Sequence, residues 1–102
     1  KDLIIRGGEN ISPGALEDIL YKHPAVLEAA VVGIPDPIYG EEVKAFVVPK
    51  PGTKVSEQEI IDHCLKFTSR FRVPKMIAFL NELPKNSVGK ILKRALREME
   101  KW

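Results

Sequence analysis

Two apolar stretches, residues 25–33 and 43–48, constrain the fold of this chain more than any other feature of its sequence. Both are rich in β-branched residues, which is typical of buried β-strands. The segment between them contains Pro35, Pro37 and Gly40, and this composition predicts a connecting loop. A chain of 102 residues has room for one modest hydrophobic core, so we expect both strands in a single domain.

A β-hairpin and a helix are predicted before these strands. Residues 3–11 comprise two short apolar stretches joined by Gly7 and Gly8, and two glycines supply the positive φ angles of a tight hairpin turn. Ser12 followed by Pro13 is typical of a helix start, with serine as the N-cap and proline at the first helical position. Apolar residues then repeat at helical spacing until the next proline, where the helix is expected to end.

Two further helices and a third strand are predicted in the second half of the chain. Ser56 and Glu59 have the spacing of a capping box. Residues 76–80 predict a strand, and a last helix follows it. The residues expected to face the core are Ile60, Ile61, Cys64, Phe67 and Phe71 in the second helix, and Leu92, Leu96 and Met99 in the last. This order predicts an α+β domain: a small mixed sheet covered by helices, with an N-terminal β-hairpin.

Charge is distributed unevenly along the chain. Residues 1–63 contain 6 Lys or Arg and 11 Asp or Glu, a balance of −5, whereas residues 64–102 contain 10 and 3, a balance of +7. A basic half suggests a polyanionic partner such as a nucleotide, a coenzyme or a nucleic acid, although scattered surface lysines give the same balance. The basic last helix lacks interleaved aromatic residues, so we predict a solvated face and no nucleic acid partner.

The remaining composition argues against several other classes of protein. A single cysteine, Cys64, excludes an internal disulfide and predicts a reducing, cytoplasmic location. No apolar run approaches membrane-spanning length, and no His, Cys, Asp and Glu residues have metal-ligand spacing, so we predict neither a membrane span nor a metal site. Because His63 and Cys64 are adjacent on a helix, they diverge by about 100° and cannot form a nucleophile–base pair. A strand begins soon after Lys1, and we therefore expect a piece of a longer polypeptide.

Gly89 and Lys90 lie between a proline-started loop and the last predicted helix. A phosphate-binding P-loop needs a glycine five positions before the Gly-Lys pair and Ser or Thr after it, but this chain has Pro84 and Ile91 there. The first turn of a helix carries partial positive charge, so a lysine at its start predicts either an anion supplied from elsewhere or a solvated basic face. Gly89 lets the backbone come close to a partner surface.

The stretch DLIIRGGENISPGALEDIL, followed later by LPKNSVGKILKR, resembles the C-terminal domain of the AMP-forming acyl-CoA synthetases. This superfamily also contains acetyl-CoA and aryl-CoA ligases, peptide-synthetase adenylation domains and beetle luciferases. The likeness covers the whole chain and includes HPAVLEAAVVGIPDPIYGEEVKAFVV between the two motifs. It implies that residues 1–102 are a mobile C-terminal lid domain, whose large N-terminal partner domain binds ATP and the acid.

The resemblance implies a ligase reaction in two steps. A carboxylic acid reacts with ATP to give an acyl-adenylate and pyrophosphate, and the acyl group is then transferred to a thiol. By match of position, Lys90 is the catalytic lysine of the first step and Lys1 is the hinge residue. Gly8 lies beside the pantetheine channel of the second step, and Gly89 is a second cofactor-binding position. ATP and CoA are the implied cosubstrates, and Mg²⁺ is expected in the N-terminal domain.

The chain departs from the family at Ala15, which stands where many members have Glu. We therefore assign no role to this position and expect Glu17 to be structural. The segment GGENISP looks most like fatty- and aryl-acyl-CoA ligases, which favours a fatty acid as substrate and free CoA as acceptor. A carrier-protein thiol as acceptor, and a stand-alone polyanion-binding module, are the alternatives. Without its N-terminal domain the fragment is expected to fold and to catalyse nothing.

Overall fold

The structure of the protein is a computed structural model that describes residues 3–99. Within this range the chain forms five strands and three helices. In chain order they are β1 (Ile4–Arg6), β2 (Glu9–Ile11), α1 (Pro13–Tyr21), β3 (Val26–Asp36), β4 (Gly40–Pro49), α2 (Glu57–Leu65), β5 (Met76–Phe79) and α3 (Lys93–Glu98). The predicted α+β class is confirmed.

Three strands form the central sheet in the order β3-β4-β5. β3 and β4 are antiparallel, whereas β4 and β5 are parallel, so the sheet is mixed as predicted. Because successive side chains alternate between the two faces, Ala29 and Val31 belong to one core cluster and Ala30 and Val32 to the other. The first face is covered by α1, α2 and the β1–β2 hairpin, and the second by α3 and the segment around Leu83.

The hairpin formed by β3 and β4 is longer than the sequence predicts. Residues 34–36 and 40–42, assigned to a loop in the sequence analysis, pair with each other as regular strand. Pro35 is tolerated in this position because β3 is an edge strand, where a missing backbone donor costs little. The true turn is closed by Asp36, whose carboxylate accepts the N–H of Tyr39 at 2.8 Å.

The first two helices begin where the sequence predicts. Ser12 Oγ accepts the N–H of Ala15 at 3.2 Å, and a proline occupies the first helical position. The capping box of α2 is complete, since Ser56 Oγ accepts the N–H of Glu59 at 3.1 Å and Glu59 Oε1 accepts the N–H of Ser56 at 2.7 Å. Both starts therefore depend on residues within three positions of each other, which a sequence displays directly.

The buried stripe of α2 is shorter than predicted. Ile60 and Cys64 are fully buried, and Ile61 and Phe71 pack against the same core while partly exposed. The prediction is wrong for Phe67, whose side chain is 51% exposed. The helix ends before this residue, so the helical periodicity no longer sets the direction of its side chain.

The last helix is also shorter than predicted and begins at Lys93. Of the three residues expected to face inward, Leu96 is fully buried, whereas Leu92 and Met99 are exposed. Leu92 precedes the helix, because its N–H donates to Pro84 O at 2.8 Å and holds the chain extended there. Consequently Lys90 does not lie in the first turn of a helix, as the sequence suggested, but in the loop before it.

Candidate active-site loop and glycine turn

The loop that carries Lys90 is closed at its base and organised from within by Asn86. Lys85 and Ile91 form an isolated antiparallel bridge at the base. Asn86 Oδ1 accepts the backbone N–H groups of Val88 at 3.0 Å and Lys90 at 2.9 Å. The backbone N–H of Asn86 donates to the carbonyl of Lys90 at 2.9 Å. Asparagine is suited to such a turn because its short side chain reaches backbone donors nearby, and here it binds both backbone polar groups of Lys90.

Gly89 supplies the backbone conformation that the loop needs. Its φ is +88°, a region that only glycine occupies without strain, and its N–H donates to Asn86 O at 3.0 Å. A Cβ at this position would have no atom within 4 Å, so the space beside the glycine is open. The neighbouring Val88 side chain is 83% exposed. The tip of the loop is therefore an apolar and open surface next to the lysine.

Lys90 itself has an exposed side chain. It lines an open groove of about 450 Å³. The described residues that line this groove are Asn86, Lys90, Ile91, Leu92, Lys93 and Arg94. They include three cations and no carboxylate, and one of the cations, Lys93, is paired with Glu17 at 2.6 Å. Such a surface attracts an anion but is too open to enclose a nucleotide, so it suits a phosphate or carboxylate that another surface presents.

Gly7 and Gly8 form the turn of the β1–β2 hairpin, as predicted, with φ of +57° and +86°. The two glycines differ in their surroundings. A Cβ at Gly7 would lie 3.1 Å from the Tyr39 ring and 3.5 Å from the Phe71 ring, whereas a Cβ at Gly8 would have no atom within 4 Å. Packing and backbone conformation therefore both require glycine at position 7. At position 8 only the backbone conformation requires glycine, and the space beside this residue is open to a partner.

A buried arginine under this turn was missed by the sequence analysis. Arg6 Nε lies 2.8 Å from Glu42 Oε2, and both side chains are largely buried. The guanidinium also lies 4.1 Å from the ring centroid of Tyr39 and 4.3 Å from that of Phe71, within cation–π range. The sequence pattern that could have indicated it is the alternation of side chains along a strand. This alternation puts Arg6 on the same buried face as Ile4.

A second groove, of about 480 Å³, lies beside the glycine turn. Its walls include the two rings, Tyr39 and Phe71, and two exposed cations, Arg70 and Lys75. Because the Arg6 guanidinium already lies over both rings, the groove offers a partner mainly its two exposed cations, which can pair with a phosphate. The glycine turn approaches this groove through Gly7, which lies against both rings.

The two predicted functional positions lie on opposite faces of the central sheet. The hairpin that carries Gly8 packs through Ile4 into the core beneath one face, whereas the Lys90 loop packs through Ile91 against the core of the other. The structure therefore brings Lys90 and Gly89 together in one loop and keeps Gly8 in a separate site. Lys1, the predicted hinge, lies outside the described residues.

Cys64 and His63, the adjacent pair considered in the sequence, lie in the interior or contact the backbone of a neighbouring helix. Burial raises the pKa of the Cys64 thiol to about 11, and His63 Nε2 lies 2.8 Å from the carbonyl oxygen of Ile19. Within residues 3–99 no group of three or more His, Cys, Asp or Glu could hold a metal ion. None of the described helices is long and apolar enough to cross a membrane.

Comparison with known proteins identifies the family to which this fold belongs. The profile of the family described as AMP-binding enzyme C-terminal domain matches residues 15–90. The peroxisomal trans-cinnamate:CoA ligase of Petunia hybrida is 50% identical over 101 residues, which are 99% of this chain and 18% of that protein. The long-chain-fatty-acid–CoA ligase of Yersinia pestis is 43% identical over 100 residues, or 98% of this chain and 18% of that protein.

A solved structure agrees with these sequence relatives. ATP-bound MatB from Rhodopseudomonas palustris matches with a TM-score of 0.94 at 37% identity, over 99% of this chain and 20% of that one. The chain belongs to the AMP-binding enzyme C-terminal domain family, and the resemblance seen in the sequence is confirmed. It spans less than a fifth of the length of the two ligases.

Proposed function

We propose that residues 1–102 are the C-terminal lid domain of an AMP-forming acyl-CoA ligase. The observation that carries this proposal is the state of Lys90: its backbone is fixed through both polar groups by Asn86, while its side chain is exposed in an open cationic groove. A lysine whose backbone is held firmly, and whose ammonium group has no carboxylate partner among residues 3–99, suits a reaction whose anions are bound by a second domain.

In the first half-reaction Lys90 supplies positive charge. A carboxylate oxygen of the acid attacks the α-phosphorus of ATP, the bond to the bridging oxygen breaks, and pyrophosphate leaves. The transition state spreads negative charge over the phosphoryl oxygens, and a positioned ammonium group stabilises it. The acid, ATP and the Mg²⁺ that accompanies it are held by the N-terminal domain in this proposal. The lid closes over them and excludes water.

In the second half-reaction the opposite face of the domain turns toward the adenylate. The CoA thiol attacks the acyl carbonyl carbon, and AMP leaves with the electrons of the carbon–oxygen bond. Gly8 leaves space for the pantetheine arm, since no atom lies within 4 Å of where its Cβ would be. Arg70 and Lys75 border the adjoining groove and suit the phosphates of CoA. A rotation about Lys1 exchanges the two faces.

The acid is proposed to be a fatty acid and the location cytoplasmic. The Yersinia relative is named for long-chain fatty acids, but the petunia relative is named for trans-cinnamate, and the acyl pocket belongs to the N-terminal domain. Both relatives are CoA ligases, which supports CoA over a carrier-protein thiol. The lone, buried Cys64 suits a reducing compartment.

The full-length enzyme, with this domain joined to its N-terminal domain, tests the proposal. We expect ATP-dependent pyrophosphate release with a panel of carboxylic acids to be strongest for fatty acids, and CoA to be converted to acyl-CoA. The chain by itself, at the same concentration, serves as the control and is expected to release none. Pyrophosphate release by the isolated chain, or its absence from the full-length enzyme with every acid, would contradict the proposal.

A further inference from the structure

Glu17 connects three elements that meet beside the Lys90 loop. Its Oε2 atom accepts the backbone N–H of Val31 at 2.9 Å and lies 2.6 Å from Lys93 Nζ. Glu17 is on α1, Val31 is on the edge strand β3, and Lys93 is the first residue of α3. The Glu17 and Lys93 side chains are only 20% and 22% exposed, so the pair is shielded from solvent better than an ordinary surface ion pair.

Both ends of the Lys90 loop are fastened to β3 through ion pairs. At the near end, Lys85 Nζ lies 2.9 Å from each carboxylate oxygen of Glu28, which is a β3 residue. At the far end, Lys93 is held through Glu17. Ile91 packs the loop against the core of the sheet. Since Lys90 is only three residues from Lys93, and Asn86 fixes the loop internally, the two ion pairs add to this packing and help to set the position of the loop relative to the sheet.

We propose that Glu17 is a positioning residue for adenylation, which holds Lys90 in place through its ion pair with Lys93. This inference rests on the proposed function and assigns Glu17 a part in it beyond the structural role expected from the sequence. Two effects would follow from loss of the pair. The far end of the loop would lose its attachment, and the freed Lys93 ammonium, which lines the same groove as Lys90, would compete for the anion there.

A purely structural role is the competing explanation, because Glu17 also accepts the backbone N–H of Val31 at the edge of β3. The substitution Glu17→Gln separates the two roles. The amide oxygen of Gln still accepts the N–H of Val31, but the neutral side chain no longer forms an ion pair with Lys93. Edge capping is therefore kept, while the attachment of the loop is weakened from an ion pair to at most a neutral hydrogen bond.

The chain contains a matched control on the opposite edge of the sheet. Glu57 of α2 accepts the N–H of Ile77 in β5 at 3.1 Å, the same kind of contact between a helix carboxylate and an edge strand. Glu57 is not among the residues that line the groove of Lys90. Glu57→Gln is thus the equivalent change at a place where no effect on Lys90 is expected.

The test compares these variants in the full-length enzyme. We expect Glu17→Gln to lower kcat for carboxylate-dependent ATP–pyrophosphate exchange about tenfold, since a misplacement of roughly 1 Å can cost up to 10²-fold. Acyl-CoA formation from supplied acyl-adenylate should match that of Glu57→Gln, and the midpoint of thermal unfolding should be lower than that of Glu57→Gln by no more than loss of one partly exposed ion pair costs. The double variant Glu17→Gln/Lys93→Met should be no slower in exchange than Lys93→Met alone, because Glu17 then has no lysine to hold.

The outcomes distinguish this inference from the proposed function. Exchange by Glu17→Gln at the unaltered rate, or an equal loss in both half-reactions together with a lower unfolding midpoint, would overturn the positioning role while leaving the proposed function standing. Additive losses in the double variant would also overturn it. Absence of exchange in the unaltered enzyme would contradict the proposed function and this inference together.

Discussion

Asn86 and Lys90 are joined by two hydrogen bonds of 2.9 Å, one from the lysine N–H to the asparagine Oδ1 and one from the asparagine N–H to the lysine carbonyl. This reciprocal pair fixes the backbone from which the lysine side chain extends, in a segment that belongs to no helix or long strand. A charge that acts on a transition state must be in place before the reaction, and a fixed backbone lowers the cost of placing it.

Replacement of Asn86 should slow the first half-reaction, and the effect should be larger when the new side chain is a poorer hydrogen-bond acceptor. In the full-length enzyme, Asn86→Ala is expected to slow ATP–pyrophosphate exchange by roughly 10- to 100-fold, because the N–H groups of Val88 and Lys90 lose their side-chain acceptor and Lys90 keeps only the backbone bond to its carbonyl. Asn86→Thr is the matched control, since a hydroxyl forms the same type of turn more weakly, and it should fall between the unaltered enzyme and Asn86→Ala. Exchange by Asn86→Ala at the unaltered rate would show that the loop needs no such bond.

Gly8→Leu should block the second half-reaction and spare the first. The leucine fills the open space outside the turn, while Lys90 lies on the other face of the sheet. Because leucine must adopt the positive φ of position 8, the free energy of unfolding should also fall by about 1 kcal/mol. Gly52→Leu is the control, because Gly52 has φ of +79° and equally open surroundings in another turn. First-turnover pyrophosphate release should match in both variants, and acyl-CoA should fail to form only in Gly8→Leu.

Normal acyl-CoA formation by a folded Gly8→Leu enzyme would remove Gly8 from the proposed CoA site. A parallel loss in Gly52→Leu would assign the effect to backbone strain alone.

The Arg6–Glu42 pair should matter to stability far more than a surface pair does. Arg6→Met leaves the carboxylate of Glu42 buried without its partner, and such a loss typically costs 3–5 kcal/mol, on the order of a third or more of the stability of a domain. Arg72→Met is the control, because Arg72 and Glu9 form an exposed pair whose loss should cost about 1 kcal/mol or less. Denaturant unfolding measures both, and equal losses would contradict the burial argument.

Stability should fall on mild acidification because of His23. Its Nδ1 accepts the N–H of Ala25 at 3.0 Å, and partial burial, followed by the nearby His63, holds its pKa below the ordinary value of 6.5. Glu59 opposes this shift and Lys66 adds to it. The folded state thus binds the proton more weakly than the unfolded state, so its stability contribution is complete above pH 6.5 and decreases as pH falls below it.

The substitution His23→Asn isolates this effect, since the amide oxygen accepts the same N–H and does not titrate. Thermal unfolding midpoints measured between pH 7 and pH 5 should decline more steeply for the unaltered protein than for the variant. The carboxylates that do not interact with His23 contribute equally to both proteins, so their contributions cancel in the comparison. Parallel declines would exclude His23 as the source.

Local patterns explain which parts of the fold could be predicted from the sequence. The N-caps Ser12 and Ser56 and the Gly7–Gly8 turn depend on residues a few positions apart, and all are as predicted. The ends of β3 and β4 depend instead on position within the sheet. Pro35 stops a strand in general but is accepted at an edge, and the identity of the edge strand is set by the whole topology.

The site was predictable only where a motif marks it. Lys90 and Gly89 were predicted as site residues from the resemblance to a family. The loop that holds them depends on the pairing of Lys85 with Ile91 and could not be told from a helix start in the sequence. The Arg6–Glu42 pair joins residues 36 positions apart, and nothing in the local sequence of either indicates the other.

The central claim is that Lys90 acts in adenylation, and the two half-reactions of a Lys90→Ala enzyme test it most directly. In the full-length protein we expect ATP–pyrophosphate exchange to fall by about 10²–10³-fold, as for loss of one transition-state charge contact. Acyl-CoA formation from supplied acyl-adenylate should stay near the unaltered rate. Lys90→Arg should restore little exchange, since a planar guanidinium does not replace a compact ammonium. Equal loss in both half-reactions, or exchange at the unaltered rate, would contradict the account.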